Sequence, residues 1–267
     1  MSSHWGYCQS NGPQTWAQSF PVAAGDHQSP VDIRRIDVKN LSCQNKLKWN
    51  YTPNCVEEVT NTGHGWQVRA KHNTSILSGG PLQENYGLLQ FHCHWGKTDE
   101  EGSEHTIDGI QYAGELHLVH WNFSKYSSIA EAFEHPDGLC VLGVLLKPGR
   151  KHEELEKIIK ELPKIEFKNQ TTPISPPFDP AKLLPSDGGS GYFTYKGSLT
   201  TPPCSECVIW IVFKDPIEVS LEQLKAFRSL KCCNEEESCP CNNCEGLLEN
   251  NFRPTFPIGK REILESL

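Results

Sequence analysis

Short apolar stretches recur along the chain at Trp66–Ala70, Gly87–Trp95, Tyr112–Trp121, Leu139–Leu146 and Val208–Phe213, separated by Gly, Pro, Asn and Asp. Stretches of this length, rich in aromatic and β-branched residues and bounded by turn formers, read as strands. Helical spacing is rarer and predicts three short helices, over Ser127–Phe133, Glu153–Leu162 and Ser220–Leu230. The last opens with Ser220 and Gln223 placed like a capping box. Ser175-Pro176-Pro177-Phe178-Asp179-Pro180 reads as an irregular surface connection. The pattern predicts an α+β chain, mainly β. No internal repeat, charge block or low-complexity linker interrupts it, so residues 1–267 read as a single domain.

Composition narrows the function classes. With 267 residues, 37% of them hydrophobic, the chain can bury a sizeable core. A formal net charge of −8 argues against a nucleic-acid or anionic-membrane partner. No apolar run approaches the roughly 18 residues that would span a bilayer. Nothing near Met1 resembles a secretory signal, so the expected location is cytoplasmic. The sequons at Asn73, Asn122 and Asn169 then carry no meaning.

The candidate chemistry lies in two of the predicted strands, Gln90-Phe91-His92-Cys93-His94-Trp95 and Glu115-Leu116-His117-Leu118-Val119-His120-Trp121. A strand sends alternate side chains to one face. His92 and His94 therefore share a face, as do Glu115, His117 and Val119. If the two strands are neighbours, His92, His94 and His117 converge as three imidazoles. Three imidazoles with an open fourth position are the protein half of a catalytic zinc site, whereas structural zinc sites are closed and favour cysteine. Gln90 stands two residues before His92 and Glu115 two before His117, each placed to fix a ligand's tautomer. The plain alternative is a pair of strands carrying core histidines and satisfied polar groups.

Several motifs extend this reading to the rest of the chain. His4-Trp5-Gly6-Tyr7, Gln28-Ser29-Pro30-Val31-Asp32-Ile33, Gly79-Gly80-Pro81-Leu82, the two histidine segments, Gly102-Ser103-Glu104-His105-Thr106 and Gly197-Ser198-Leu199-Thr200-Thr201-Pro202-Pro203 occur in that order. Together they resemble the alpha-class carbonic anhydrases from about residue 4 to about residue 263. The resemblance implies a large, twisted, mainly antiparallel sheet with Zn²⁺ on His92, His94 and His117. It implies reversible hydration of carbon dioxide to bicarbonate and a proton, by attack of zinc-bound hydroxide. Thr200 would accept a hydrogen bond from that hydroxide and pass its own hydroxyl hydrogen to Glu104. Thr201 would line the site, and Val119, Val141, Leu199, Val208 and Trp210 would form the apolar wall that holds carbon dioxide. His64 would be the proton shuttle, with Tyr7, Asn61 and Gln67 ordering the intervening water. Sulfonamides and anions would be inhibitors. Read without the triad, Thr200 and Thr201 before two prolines would be turn residues, and His64 between two glycines a loop histidine.

Twelve cysteines are many for a cytoplasmic chain of this length, and five fall within Cys232–Cys244. Secreted members of the resembling family commonly bridge a cysteine at the Cys204 position to one near the N-terminus. Here that partner position is Ala23, so the bridge should be absent. Cys8, Cys43 and Cys55 remain possible partners, and free thiols are the default expectation. The 232–244 segment has three readings: a solvated loop of thiols, a metal clip using Cys241-x-x-Cys244, or local disulfides. A catalytically silent binding module is a further class, but such relatives lose a zinc histidine and none is missing here. A thiol-based metal buffer or redox sensor centred on Cys232–Cys244 is the third.

Overall fold

The computed structural model describes residues 5–42, 46–71, 74–174, 177–186, 191–236 and 246–266. Expectations for Asn73, Cys43, Cys239, Cys241, Cys244 and the Ser175-Pro176 step lie outside the described residues. Among the described residues a thirteen-stranded sheet dominates. Its central path runs Val56–Asn61, Trp66–Ala70, Tyr86–Trp95, Gly114–Trp121, Leu139–Pro148, Val208–Phe213 and Tyr192–Gly197. Most of these pairings are antiparallel, but Leu139–Pro148 runs parallel to Val208–Phe213 at the centre. The expected mainly antiparallel sheet is thus present, with a parallel seam that hydrophobic pattern alone could not show.

Both faces of the central strands are covered, which is why Gly114–Trp121 and Leu139–Leu146 read as near-continuous apolar runs. On one face, Leu116, Leu118, Cys140, Leu142, Val144 and Ile211 belong to the larger core. On the other, Val119, Val141, Val208 and Trp210 belong to a second cluster beside the histidines. The pairing of His92 with His117 brings the two histidine strands together. Leu88 lies opposite His120 but Gln90 lies opposite Val119, so Leu89 is a bulge. The bulge turns Leu88 into the larger core while Gln90, His92 and His94 face the other way. Bulges commonly re-aim side chains in this manner beside functional sites.

The helices form where periodicity placed them, but shorter: Ile129–Ala132, Glu153–Ile159 and Leu221–Phe227. Ser220 and Gln223 make the full reciprocal capping box, an arrangement worth about 1 kcal/mol. The expected surface connection before Pro180 is corrected at Phe178. Its ring is buried in the larger core and stacks on Phe91 with centroids 5.7 Å apart, since a large aromatic surface gains by leaving water. No helix among the described residues is long and apolar enough to cross a membrane.

Candidate metal centre

The three histidines do converge. One ring nitrogen from each of His92, His94 and His117 lies within 4.8 Å of the others. Each opposite nitrogen is already engaged. His92 Nδ1 donates to Gln90 Oε1 at 2.8 Å, His94 Nδ1 to the Asn251 carbonyl at 2.7 Å, and His117 Nε2 to Glu115 Oε1 at 2.7 Å. This leaves lone pairs on His92 Nε2, His94 Nε2 and His117 Nδ1 directed at a shared point. Burial lowers the pKa of all three rings, His94 to about 4, with repulsion between His92 and its two neighbours adding to the effect. Neutral imidazole is the form that binds a metal.

Zinc fits this donor set. His94 Nε2 is buried without a hydrogen-bond partner, and so is Glu104 Oε2, 3.4 Å from it. Buried polar atoms rarely go unpaired, and an ion with its water satisfies such atoms. A second group, His105, Glu115 and His117, also has metal-ligand geometry. Its atoms are spent on one another, since Glu115 Oε1 accepts from both rings at 2.7 Å. That group orients His117. Gly143 lies opposite His117 across the strand pair, and a Cβ there would sit 3.1 Å from Glu115 Oε1. Glycine makes room for the buried carboxylate.

Glu104 Oε1 is anchored by the Arg253 backbone N–H at 2.8 Å, and the neighbouring Thr200 side chain favours its charged form. Burial raises its pKa to about 7, against the opposing pull of His117. Val119, Val141, Val208 and Trp210 are buried in one cluster on the triad's face, with Leu199 packed against it. Trp210 also lies edge-on to His117, centroids 4.8 Å apart. Thr201 is partly buried in the turn that leads to Cys204, whose N–H donates to the Thr201 carbonyl. Gln67 pairs with His92 across the adjacent strands and so shares its face.

His64 packs its ring flat on Trp5, centroids 3.7 Å apart, and its Nε2 donates to the Trp5 carbonyl at 2.9 Å. Tyr7 stands nearby, edge-on to Trp5, its hydroxyl buried without a hydrogen-bond partner and its pKa pushed well above the usual range by burial. Asn61 is corrected. Its Nδ2 donates to the carbonyls of Ile165, Glu166 and Lys231, and its Oδ1 accepts from Gly63. A fully buried amide with these bonds ties loops together and has no face left to order water.

Sequence reading missed His105, Asn251 and Arg253. His105 stands next to Glu104 in a quoted motif and could have been noticed. Asn251 and Arg253 sit in a stretch without periodicity, and nothing there signals a role. Among the cysteines, Cys204 is an unbridged buried thiol, as expected, and Cys93 and Cys207 are buried. The free-thiol default fails at Cys8, which is disulfide-bonded, because tertiary proximity decides pairing and sequence does not. Of the three readings of the 232–244 segment, the solvated loop of thiols does not hold at Cys233, which is buried.

Comparison with known proteins agrees with the geometry. Residues 11–267 match the family model described as eukaryotic-type carbonic anhydrase. Carbonic anhydrase 1 of Monodelphis domestica is 42% identical over 265 residues, which cover 98% of each chain.

Proposed function

The chain belongs to the eukaryotic-type carbonic anhydrase family, and on that premise we propose that it is a zinc-dependent carbonate dehydratase. It interconverts carbon dioxide and water with bicarbonate and a proton at the His92–His94–His117 centre, working as one domain over residues 1–267. The observation that carries this reading is three imidazole nitrogens within one ion's reach, each with its opposite nitrogen fixed. Zinc bound there supplies a Lewis acid that brings the pKa of coordinated water to about 7, an effect whose standard example is carbonic anhydrase itself.

The chain's own residues do the rest. Gln90, Glu115 and the Asn251 carbonyl hold the three rings in the tautomers that present lone pairs. Thr200 gives its hydroxyl hydrogen to Glu104, so its oxygen meets the reacting group as an acceptor. This one-way arrangement fixes which lone pair faces the substrate. Val119, Val141, Leu199, Val208 and Trp210 give carbon dioxide, which has no dipole, a dry surface beside the metal, with Thr201 at its edge. His64 carries the proton between the site and solvent, since a histidine changes charge near neutral pH. In doing so it exchanges its bond to Trp5 for water, with Tyr7 and Gln67 bordering the path. Sulfonamides and small anions compete at the same centre. The unbridged thiols of Cys55, Cys93, Cys140, Cys204 and Cys207 support a cytoplasmic setting, and the bridge at Cys8 argues against it; cell fractionation decides.

The test couples metal analysis to a stopped-flow carbon dioxide assay. One zinc per chain is expected, with activity that a chelator removes, added zinc restores and a sulfonamide blocks. Full turnover by a metal-free chain would overturn the proposal.

A further inference from the structure

Asn251 is buried at 0% exposure, and all of its polar capacity beyond its own N–H is directed at the site. Its carbonyl accepts from His94 Nδ1 at 2.7 Å, and its Oδ1 accepts from the Trp95 backbone N–H at 2.7 Å. Its Nδ2 donates to the His64 carbonyl at 2.8 Å and to the Cys93 carbonyl at 3.4 Å. One residue thus touches a metal ligand through its backbone and the 62–65 loop through its side chain. The loop approaches so closely that a Cβ on Gly65 would lie 3.0 Å from Asn251 Nδ2 and 3.3 Å from the Cys93 carbonyl. Thr62 closes the same turn, its N–H and hydroxyl both donating to the Gly65 carbonyl. His64 is therefore held at two points, its ring by Trp5 and its backbone by Asn251.

We infer that Asn251 is a positioning residue for proton transfer: its side-chain amide sets the distance between the His64 loop and the strand that carries His92 and His94. The inference rests on His64 being the shuttle. The amide is suited to this task because Nδ2 bridges two backbone carbonyls, on the loop and on the metal strand, while Oδ1 locks the same strand from the other side. A side chain without the donor loses the bond that ties the loop carbonyl to the strand carbonyl in a buried place. The metal ligand is spared, because its partner is a backbone oxygen that any residue at 251 retains.

Asn251→Ala and Asn251→Asp provide the test, with His64→Ala as the reference. Asparagine to aspartate keeps the acceptor for Trp95 and replaces the donor with an oxygen facing two carbonyls. Turnover in dilute buffer should fall about tenfold in either variant, a larger loss than in the second-order constant for carbon dioxide, which does not include proton release. Imidazole should restore the turnover. Amide exchange over residues 62–66 should quicken at least about tenfold while residues 91–94 stay protected, and Trp95 with them in Asn251→Asp, which keeps its acceptor. If His64→Ala lowers buffered turnover and the Asn251 variants do not, the inference fails and the shuttle stands. If His64→Ala has no effect, the shuttle reading fails and the inference goes with it. A loss of zinc and of second-order rate together in both Asn251 variants also overturns it, since that is a purely structural defect. Where a variant does not fold, the wild-type side-chain amide is read directly by NMR. Slow exchange at both Asn251 Nδ2 protons supports the bridging bonds, and fast exchange overturns them.

Discussion

His117 and His120 stand three residues apart on one strand, and they do opposite things. Both rings are buried and both have pKa values lowered chiefly by burial, His120 to about 3. His120 faces the larger core with both nitrogens occupied, one by the Tyr51 hydroxyl at 2.7 Å and one by the Cys140 carbonyl at 3.2 Å. His117 faces the second cluster with one nitrogen held by Glu115 and the other turned toward two more imidazoles. Burial and residue type are shared, so neither makes a metal site. The difference is the uncommitted lone pair: strand alternation sends the two rings to opposite faces, and the groups met on each face decide which nitrogens are taken.

The sharpest way to break this comparison is to remove one histidine from each face. His94→Ala should abolish stoichiometric zinc and leave activity below about one part in a thousand, because two imidazoles and solvent do not hold tetrahedral zinc. His120→Ala should keep zinc and turnover but lose about 2–4 kcal/mol of stability from a cavity and an orphaned Tyr51 hydroxyl. Metal content and urea melts of both variants read the contrast directly. Equal zinc loss in the two would erase the distinction.

Smaller effects sharpen it. Thr200→Ala should lower the second-order constant for carbon dioxide about a hundredfold, while Thr200→Ser, which keeps the hydroxyl, should stay near wild type. Glu115→Ala and Gln90→Ala should each weaken zinc binding about 10–100-fold, seen by competition with a chromophoric chelator. A deletion of Tyr51's hydroxyl, Tyr51→Phe, should leave zinc affinity unchanged, since it stands behind the other histidine.

A last effect is on pH dependence. The folded pKa of His120 lies near 3, below the ordinary histidine value of 6.5. The unfolded chain therefore binds this proton first, and the associated stability is present above about pH 6.5. It is lost as pH falls toward 3, with a slope of up to about 1.4 kcal/mol per pH unit. His120→Phe should flatten the acid limb of stability by about one proton between those limits. Urea midpoints at several pH values measure it, and an unchanged slope would mean that His120 does not set the limb.

Much of this was legible along the chain. The strands at Trp66–Ala70 and Val208–Phe213 have the boundaries their apolar runs suggested, and the Ser220 cap forms as its spacing implied. Period-two alternation put His92 with His94 and Glu115 with His117, and the partners Gln90 and Glu115 followed from the same count. Such features depend on neighbours within a few residues, which is where sequence carries direct information.

What the sequence determined by itself was local: which stretches are strands, which side chains share a face, and which residue types could ligate an ion. Only the tertiary structure decided that the Leu89 bulge divides its strand between two cores, and that Asn61 is a loop clamp and not a water-bearing residue. It also brought the Asn251 carbonyl to His94 across 157 positions and the Arg253 N–H to Glu104 across 149. A backbone oxygen or N–H belongs to every residue, so no side-chain pattern can announce it as a partner. Its use is set by where the chain comes to rest once two hydrophobic clusters have closed on the opposite faces of one sheet.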